Sequence, residues 1–122
     1  MARYAADTTV STDRSRAEIE RTLARYGAEQ FMYGYDRTQA IVQFQTAARQ
    51  VRFLLPLPDR EERQFTHTPG RGLLRTPADR DRAHEQACRS AWRALALVIK
   101  AKLEAVEAGI VTFDAEFMAH IV

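Results

Sequence analysis

The segment from Thr76 to Gly109 constrains the fold of this chain most, because it has the pattern of one uninterrupted helix. Thr76 is suited to cap that helix, Pro77 suits its first position, and Asp79 places negative charge in the first turn. No helix breaker follows before Gly109. Such a helix would be roughly 48 Å long, against a diameter of roughly 35 Å for a compact chain of this size. Unless it kinks, we expect it to extend beyond the rest of its domain.

This long helix carries two apolar stripes and one polar face. The bulky stripe, suited to covering a sheet, contains Cys88, Trp92, Leu95, Ile99, Leu103 and Val106. A second stripe, roughly 125° around the helix, is made of small residues: Ala87, Ala91, Ala94, Val98, Ala101, Ala105 and Ala108. The polar face contains Arg89, Arg93, Lys100, Glu104 and Glu107. A helix with two apolar faces needs two packing partners.

We call the second stripe, Ala87 to Ala108, the alanine face. Its spacing alternates between three and four residues, as in a coiled-coil seam, and its small side chains allow a second helix to approach closely. Two interpretations remain open for what covers it. Either the first and last helices of the same chain pack on it, or it is an interface with a second copy or another protein, using Ala87, Ala91, Ala94, Val98, Ala101 and Ala105.

A shorter helix is predicted near the N-terminus. Ser15 and Glu18 have the spacing of a capping box, and Ile19 and Leu23 follow on one helical face. Gly27 is suited to end the helix. A last short helix is predicted after Thr112, where aromatic and apolar residues recur at helical spacing.

Between the two longer helices the apolar residues change to a period of two, which predicts strands. Their inward faces are predicted to be Phe31, Tyr33 and Tyr35, then Ala40, Val42 and Phe44, then Val51, Phe53, Leu55 and Leu57. The aromatic residues of the first strand could instead stack on bases, although their alternation fits core packing. The predicted fold is α+β: a helix, a three-stranded antiparallel meander, a long helix and a short C-terminal helix.

The 122 residues suit one domain. We predict a loose segment over residues 1–12 and a single domain over residues 13–122, with an extended loop at 58–75. A single cysteine and the lack of an apolar signal segment or membrane-spanning stretch predict a cytoplasmic protein that does not bind membranes. The abrupt end on Ile121 and Val122 suggests a chain shorter than the natural product.

The middle of the chain is locally basic. From Arg37 to Arg75 seven arginines face three carboxylates, although the whole chain carries a net charge of only +2. Arginine and histidine side chains on a loop and a sheet edge suit phosphate contacts with DNA or RNA. The predicted nucleic-acid-binding residues are Arg49, Arg52, Arg63, His67, Arg71 and Arg75. The alternative is that this loop is simply solvated.

Other candidate chemistry is weak. His84 and Cys88 stand at i and i+4, as two metal ligands can, but a closed zinc site needs four ligands and the chain has no second cysteine. The acidic run Asp59, Glu61 and Glu62 could indicate a metal-dependent nuclease. Such sites usually pair carboxylates with a lysine at the end of a strand, and both lysines of this chain lie in the middle of the long helix, so a solvated turn is the favoured interpretation. We therefore expect no metal, no cofactor and no catalytic site.

Three segments carry a resemblance to a known group of proteins: Gln50–Pro58, the loop from Phe65 to Arg71, and above all the run from Glu85 to Gly109. They resemble a family of small uncharacterised proteins encoded in bacteriophages and prophages, over nearly the whole chain. Members of this family continue past Ala119–Val122. The resemblance implies no specific activity, and it favours a small accessory factor that contacts host or phage machinery.

Two hypotheses follow from the sequence. The first is a non-enzymatic accessory protein that binds nucleic acid through the basic loop and the sheet edge, as a monomer or a dimer. The alternative is a protein–protein adaptor or inhibitor, as a homodimer or bound to a host or phage protein, that uses the alanine face and needs no nucleic acid.

Overall fold

The computed structural model describes residues 5–46 and 48–122, and its fold is α+β as predicted. Helix α1 is followed by a three-stranded sheet, a one-turn helix α2, the long helix α3 and a short helix α4. The bounds are α1 Thr12–Arg25, β1 Gln30–Tyr35, β2 Gln39–Thr46, β3 Arg49–Pro56, α2 Arg63–Thr66, α3 Pro77–Glu107 and α4 Phe113–Phe117, with a 3-10 turn at Met118–His120. Only α2 lacks a counterpart in the predicted order.

The three strands form an antiparallel meander in the order β1–β2–β3. In its register Val42 of β2 lies between Tyr33 of β1 and Phe53 of β3. The β1–β2 turn is held by Asp36, whose Oδ1 accepts hydrogen bonds from the backbone N–H groups of Thr38 and Gln39 at 2.8 and 3.0 Å. These bonds to the ionised carboxylate lower the pKa of Asp36, the Thr38 N–H having the largest effect.

The hydrophobic core lies between one face of the sheet and α3. Alternation along β2 and β3 buries Ala40, Val42, Phe44, Val51 and Phe53. Trp92, Leu95, Ile99 and Leu103 of the predicted bulky stripe are buried against this face, while the two ends of the stripe, Cys88 and Val106, are only half-buried. The opposite face of the sheet is more open, with Met32 and Leu54 exposed on it.

Both ends of α3 follow the prediction. The Thr76 hydroxyl accepts a hydrogen bond from the Asp79 N–H at 3.2 Å, and Pro77 occupies the first turn. At the other end Gly109 has a φ of 75°, and the Ile110 N–H donates to the Ala105 carbonyl at 3.0 Å. This left-handed glycine satisfies the last carbonyls of the helix, as a C-terminal glycine commonly does.

The capping box predicted at Ser15 and Glu18 is wrong. Helix α1 begins one turn earlier, because Ser11 caps it by accepting a hydrogen bond from the Arg14 N–H at 3.1 Å. Ser15 is buried inside the helix. Glu18 forms an ion pair with Arg93 of α3 instead of capping, so α1 packs on what the sequence predicts as the polar face of the long helix.

The segment before α1 differs from the predicted loose segment over the residues that the structure describes; residues 1–4 lie outside them. Ala5 is buried. The Gln86 side-chain amide on α3 donates hydrogen bonds to the Ala6 and Thr8 carbonyls at 3.1 and 2.9 Å. Backbone groups without a regular partner are thereby satisfied from α3, which fixes this segment along the helix.

The interpretation that α1 and α4 cover the alanine face does not hold. Helix α1 contacts the Arg93 side of α3, and α4 contacts the opposite side through an ion pair between Lys102 and Glu116 at 3.1 Å. Between these two contacts Ala94, Val98 and Ala101 are exposed, Val98 by 44%. Ala87, Ala91 and Ala105 are half-buried.

Helix α4 covers the end of the sheet that contains the β2–β3 turn. Phe117 is fully buried, and its ring makes edge-to-face contacts with Phe44 and Phe53 at centroid distances of 6.1 and 6.2 Å. The Val122 N–H then donates to the Gln50 carbonyl on β3 at 2.8 Å. None of the helices in the described ranges combines the length and the apolar character that crossing a membrane requires.

Candidate functional site

A cleft of about 720 Å³ opens at the end of the sheet opposite α4. Its walls come from α1, the β1–β2 turn, the segment after β3 and the first half of α3. The residues that line it are Thr12, Arg16, Tyr35, Asp36, Arg37, Leu57, Pro58, Asp59, Arg60, Glu61, His84, Cys88 and Trp92. Its size falls within the range of small-molecule sites in proteins.

The inner part of the cleft is apolar. Trp92, which is 3% exposed, lines this part together with Leu57, Pro58 and Cys88. Tyr35 lies at the mouth and is 70% exposed, because it ends the edge strand β1. The apolar side chains line an open space here and do not fill it.

Arg16 of α1 is held by aromatic rings at one wall of the cleft. Its guanidinium carbon lies 4.7 Å from the centre of the Tyr33 ring and 5.6 Å from that of Trp92, and these two rings contact each other edge to face. Cation–π contacts of this kind stabilise by about 0.5–1 kcal/mol or more. Arg16 also forms an ion pair with Asp13, which is itself exposed.

The rim of the cleft carries arginines and carboxylates in equal number, but their hydrogen-bonding states differ. Asp36 accepts three hydrogen bonds that hold its own turn, and Asp59 Oδ1 accepts one from the Glu61 N–H at 2.9 Å. Arg37 is 85% exposed and reaches Asp59 only at 3.9 Å, which is beyond hydrogen-bonding distance. The nearest carboxylate to Arg60, from Asp81, is at 3.7 Å.

His84 and Cys88 line the cleft one helical turn apart. His84 Nε2 lies 2.8 Å from the Pro58 carbonyl, which can only accept, so Nε2 carries the proton of this bond. The Cys88 sulfur lies 4.0 Å from His84 Nδ1. Burial raises the pKa of the Cys88 thiol, and the nearby charge of Arg60 opposes that rise.

The predicted loop at 58–75 is folded. Phe65 of α2 is buried against the edge of the His84 ring, with centroids 5.3 Å apart. A hairpin follows, in which the Thr68 N–H donates to the Leu73 carbonyl at 2.7 Å and the Arg75 N–H to the Thr66 carbonyl at 2.8 Å. Its tip contains two glycines, Gly70 and Gly72, with positive φ of 76° and 67°. We call residues 63–75, α2 and this hairpin together, the basic segment.

The basic segment holds four of the six predicted nucleic-acid-binding residues: Arg63, His67, Arg71 and Arg75. It contains no aspartate or glutamate. In residues 5–46 and 48–122, none of its arginines lies within 4.0 Å of a carboxylate oxygen. Leu73 and Leu74 are exposed beside them. These four residues, neighbours already in the sequence, therefore lie in one short folded segment without a carboxylate.

The other two predicted residues lie apart from it. Arg49 begins β3, roughly 23 Å from the end of that strand that leads to the basic segment. Its guanidinium makes a two-pronged ion pair with Asp114 of α4, at 3.1 and 2.8 Å, which raises the pKa of Arg49. Arg52 lies on the open face of the sheet and donates to the Gln43 side-chain oxygen at 3.0 Å. The six residues therefore do not form one patch.

The aromatic residues of β1 face the core side of the sheet, since Phe31 and Tyr33 pair in register with Phe44 and Val42. Phe31 is half-buried, Tyr33 is 44% exposed with its ring against the buried Trp92, and Tyr35 is 70% exposed. Core packing is therefore the right interpretation for Phe31, and it is wrong for Tyr35.

The cleft is the feature that the sequence did not indicate as a site. The sequence predicts Cys88 as part of the bulky apolar stripe and His84 with Cys88 at most as a weak metal-ligand pair, whereas in the structure both residues are half-buried and line the cleft. The part of the chain that the structure describes has no group of three or more side chains placed to hold a metal ion. A usable signal was present in Pro56 and Pro58, which end β3 and leave the adjoining side of α3 without a strand above it. Comparison with protein-family models, curated proteins and solved structures gave no match to the chain, so the resemblance to phage-encoded proteins stays a prediction.

Proposed function

We propose that this chain is a non-enzymatic accessory protein of phage type that binds nucleic acid through the basic segment. The observation that carries the proposal is the set of three arginines in the basic segment, which contains no carboxylate and whose arginines form no ion pair in the described residues. Most other arginines on α3 and at the sheet ends have acidic partners within 4.0 Å. Arginine side chains without such partners can contact phosphate oxygens at no cost in lost ion pairs.

The hairpin suits this role in its shape as well as its charge. Gly70 and Gly72 at its tip lack side chains, and an added Cβ at Gly70 would meet no atom within 4 Å. A tip of this kind lets a phosphate backbone approach the peptide N–H groups closely. Phe65 anchors the base of the segment against α3, so the arginines are presented on a fixed support.

The proposed contact is with the phosphate backbone, and we expect it to be largely independent of sequence. Arg71 is exposed, and His67 Nδ1 lies 2.8 Å from the Thr66 hydroxyl. Three arginines give a modest footprint, because each phosphate neutralised contributes about −0.9 to the slope of log K against log salt for duplex DNA. We therefore expect a slope of roughly −2 to −3 and weak binding at physiological salt.

The test is retardation of short single- and double-stranded DNA and RNA at several salt concentrations. Arg71→Ala with Arg75→Ala should weaken binding to all sequences alike and reduce the steepness of the salt dependence by about 2. The matched control is Arg49→Ala with Arg52→Ala, which removes the same charge from outside the basic segment and should leave the slope nearly unchanged. Absence of retardation for every nucleic acid at low salt would refute the proposal.

A second candidate function is favoured by the exposed middle of the alanine face. Ala94, Val98 and Ala101 are left uncovered by α1 and α4 on a helix of 31 residues, and small side chains permit close helix packing. In this proposal the chain is an adaptor or inhibitor that pairs through the face with a second copy or with another protein. Nucleic acid is not required.

Light scattering after size exclusion tests the second candidate. A dimer that Val98→Glu converts to a monomer, while Glu107→Lys at an exposed polar position does not, would support it. The homodimer would be refuted if the protein stays monomeric over the accessible concentration range and if Ala94→Leu and Ala101→Leu change neither its stability nor its oligomeric state.

A further inference from the structure

We infer that the cleft between α1, the β1–β2 turn and α3 is a binding site for a small ligand with a flat aromatic ring and one anionic group. The inference is independent of the basic segment, because none of the four basic residues named there lines the cleft. It concerns the end of the sheet where Tyr35, Trp92 and the rim arginines meet.

The ring preference follows from the inner walls. Trp92, Leu57 and Pro58 line this part with apolar groups, and Tyr35 at the mouth is 70% exposed. A flat ring inserted between them would displace water from surfaces that cannot hydrogen-bond to it, and aromatic pairs gain further from edge-to-face or offset contact. The polar atoms of His84 and Pro58 are already bonded to each other, so they set the shape of the wall and leave few donors deep in the cleft.

The anionic preference follows from the hydrogen bonds of the rim. The carboxylates there are engaged in holding backbone, as Asp36 holds the β1–β2 turn and Asp59 holds the turn after β3. Arg37 and Arg60 form ion pairs with Asp59 and Asp81 at 3.9 and 3.7 Å, which are too long for hydrogen bonds, so a ligand anion can accept hydrogen bonds from their N–H groups without breaking one to a carboxylate. Their planar guanidinium groups suit a carboxylate or a phosphate monoester.

The charge of the rim limits the ligand to one anionic group. Glu61 adds a third carboxylate, 4.0 Å from Arg80, and Arg16 adds a third arginine that is already paired and stacked. A polyphosphate would meet these carboxylates and be repelled by them. Two sources of the same chemistry fit, an aromatic carboxylic acid and a nucleoside monophosphate, and the ring with a single anion is common to both.

The chain provides two reporters of its own. Trp92 is the single tryptophan and Cys88 the single cysteine, and both line the cleft. Ligand binding should therefore change the Trp92 emission and slow alkylation of Cys88 by iodoacetamide at the same ligand concentrations. Agreement between these two signals would place the ligand in the cleft without a change to the sequence.

The experiment compares probes of matched size: phenylacetate, benzyl alcohol and benzylamine, and then adenosine monophosphate, adenosine and inorganic phosphate. We expect the two anionic aromatic probes to bind at least about tenfold more tightly than their neutral or cationic counterparts and than phosphate alone. Tighter binding of phenylacetate would assign the aromatic carboxylic acid, and tighter binding of adenosine monophosphate the nucleotide. Equal or tighter binding of benzylamine would overturn the inference.

Arg37→Ala with Arg60→Ala should weaken both anionic probes about tenfold and leave benzyl alcohol unchanged. The control variant is Arg14→Ala with Arg21→Ala, two exposed α1 arginines outside the cleft. If the double variant does not fold, Cys88 protection in the unaltered protein still decides the outcome. No change in Trp92 emission or in Cys88 alkylation with any probe at millimolar concentration would overturn the inference. This outcome would leave the nucleic-acid proposal intact, because retardation by the basic segment is measured separately.

Discussion

The two ends of the sheet use aromatic residues in opposite ways. At the β2–β3 turn, Phe117 of α4 is fully buried between Phe44 and Phe53, and the end is closed. At the β1–β2 turn, Tyr35 is exposed and, with Trp92, lines a cleft of about 720 Å³. The first arrangement contributes apolar burial to stability, while the second leaves apolar surface available to a ligand.

The difference arises from the path of the chain near each end of the sheet. Beyond β3 the prolines at 56 and 58 end the strand, and the chain leaves the sheet to form α2, whose Phe65 packs against His84 of α3. At the other end the chain returns after Gly109, and Phe117 of α4 packs against Phe44 and Phe53 of the sheet. We therefore expect mutations at the closed end to lower the stability of the fold most, and mutations at the open end to weaken binding of a cleft ligand most.

The largest expected effect comes from truncating one aromatic residue at each end. Phe117→Ala should lower the free energy of unfolding by about 3–5 kcal/mol, because it removes a fully buried ring and leaves a cavity. Tyr35→Ala should change it by less than about 0.5 kcal/mol, because the side chain is mostly in solvent. Urea denaturation measures both. Similar losses for the two variants would contradict the distinction between a closed and an open end.

The coupling free energies of ion pairs at the two ends should also differ, by a smaller amount, with the stronger coupling at the closed end. Lys102 and Glu116 at the closed end are each about a quarter exposed and 3.1 Å apart, and a double-mutant cycle to alanine should give a coupling of roughly 0.5–1 kcal/mol. Arg60 and Asp81 at the open end are about half exposed and 3.7 Å apart, so their coupling should be below roughly 0.3 kcal/mol. A stronger coupling at the open end would reverse the comparison.

The closed end should also respond to mild acid. His120 stacks on Phe53 at a centroid distance of 4.1 Å, and burial, with a smaller effect from Lys102, lowers its pKa below the usual 6.5. The unfolded chain then binds this proton more readily than the folded one, so stability is complete above about pH 6.5 and falls as the pH drops toward the folded pKa. Thermal midpoints between about pH 7 and 5 should fall less in His120→Gln than in the unaltered protein. An identical pH dependence in both would exclude this role for His120.

The helices and strands of this fold could be predicted from local sequence patterns. The cleft could not, because it depends on interactions between residues that are far apart in the sequence. The caps at Thr76 and Thr112 follow from side chains and backbone a few residues apart. By contrast, Glu18 fits a capping motif locally, and its actual partner, Arg93, is 75 residues away. The same holds for the cleft, which forms only because the β1–β2 turn, the end of β3 and α3 meet around a space that none of them fills.

For a related reason, the grouping of the six basic residues could be predicted from the sequence only in part. Residues 63–75 are close in sequence, so their shared charge is visible without the fold. The engagement of Arg49 by Asp114 joins residues 65 positions apart and is not visible in the sequence. Charge counted along a chain therefore overstates the charge that is available for a ligand.

The smallest expected effect lies at the open end, in the Asp36 turn. The hydrogen bonds from Thr38 and Gln39 lower the pKa of the Asp36 carboxyl below its usual 3.8. These bonds therefore contribute their full stabilisation of the fold above pH 3.8, and this contribution is lost as the pH falls through the pKa of the folded protein. Asp36→Ala should lower the thermal midpoint slightly at neutral pH, and the difference from the unaltered protein should shrink in strong acid. Asp36→Asn, which keeps an acceptor oxygen, should lower the thermal midpoint at neutral pH by less than Asp36→Ala. Because the turn forms one wall of the cleft, Asp36→Ala should also weaken binding of the neutral probe benzyl alcohol, whereas Asp114→Ala at the closed end should not. Equal weakening of benzyl alcohol binding by both variants would mean that the two ends are coupled through the sheet and do not act as separate regions.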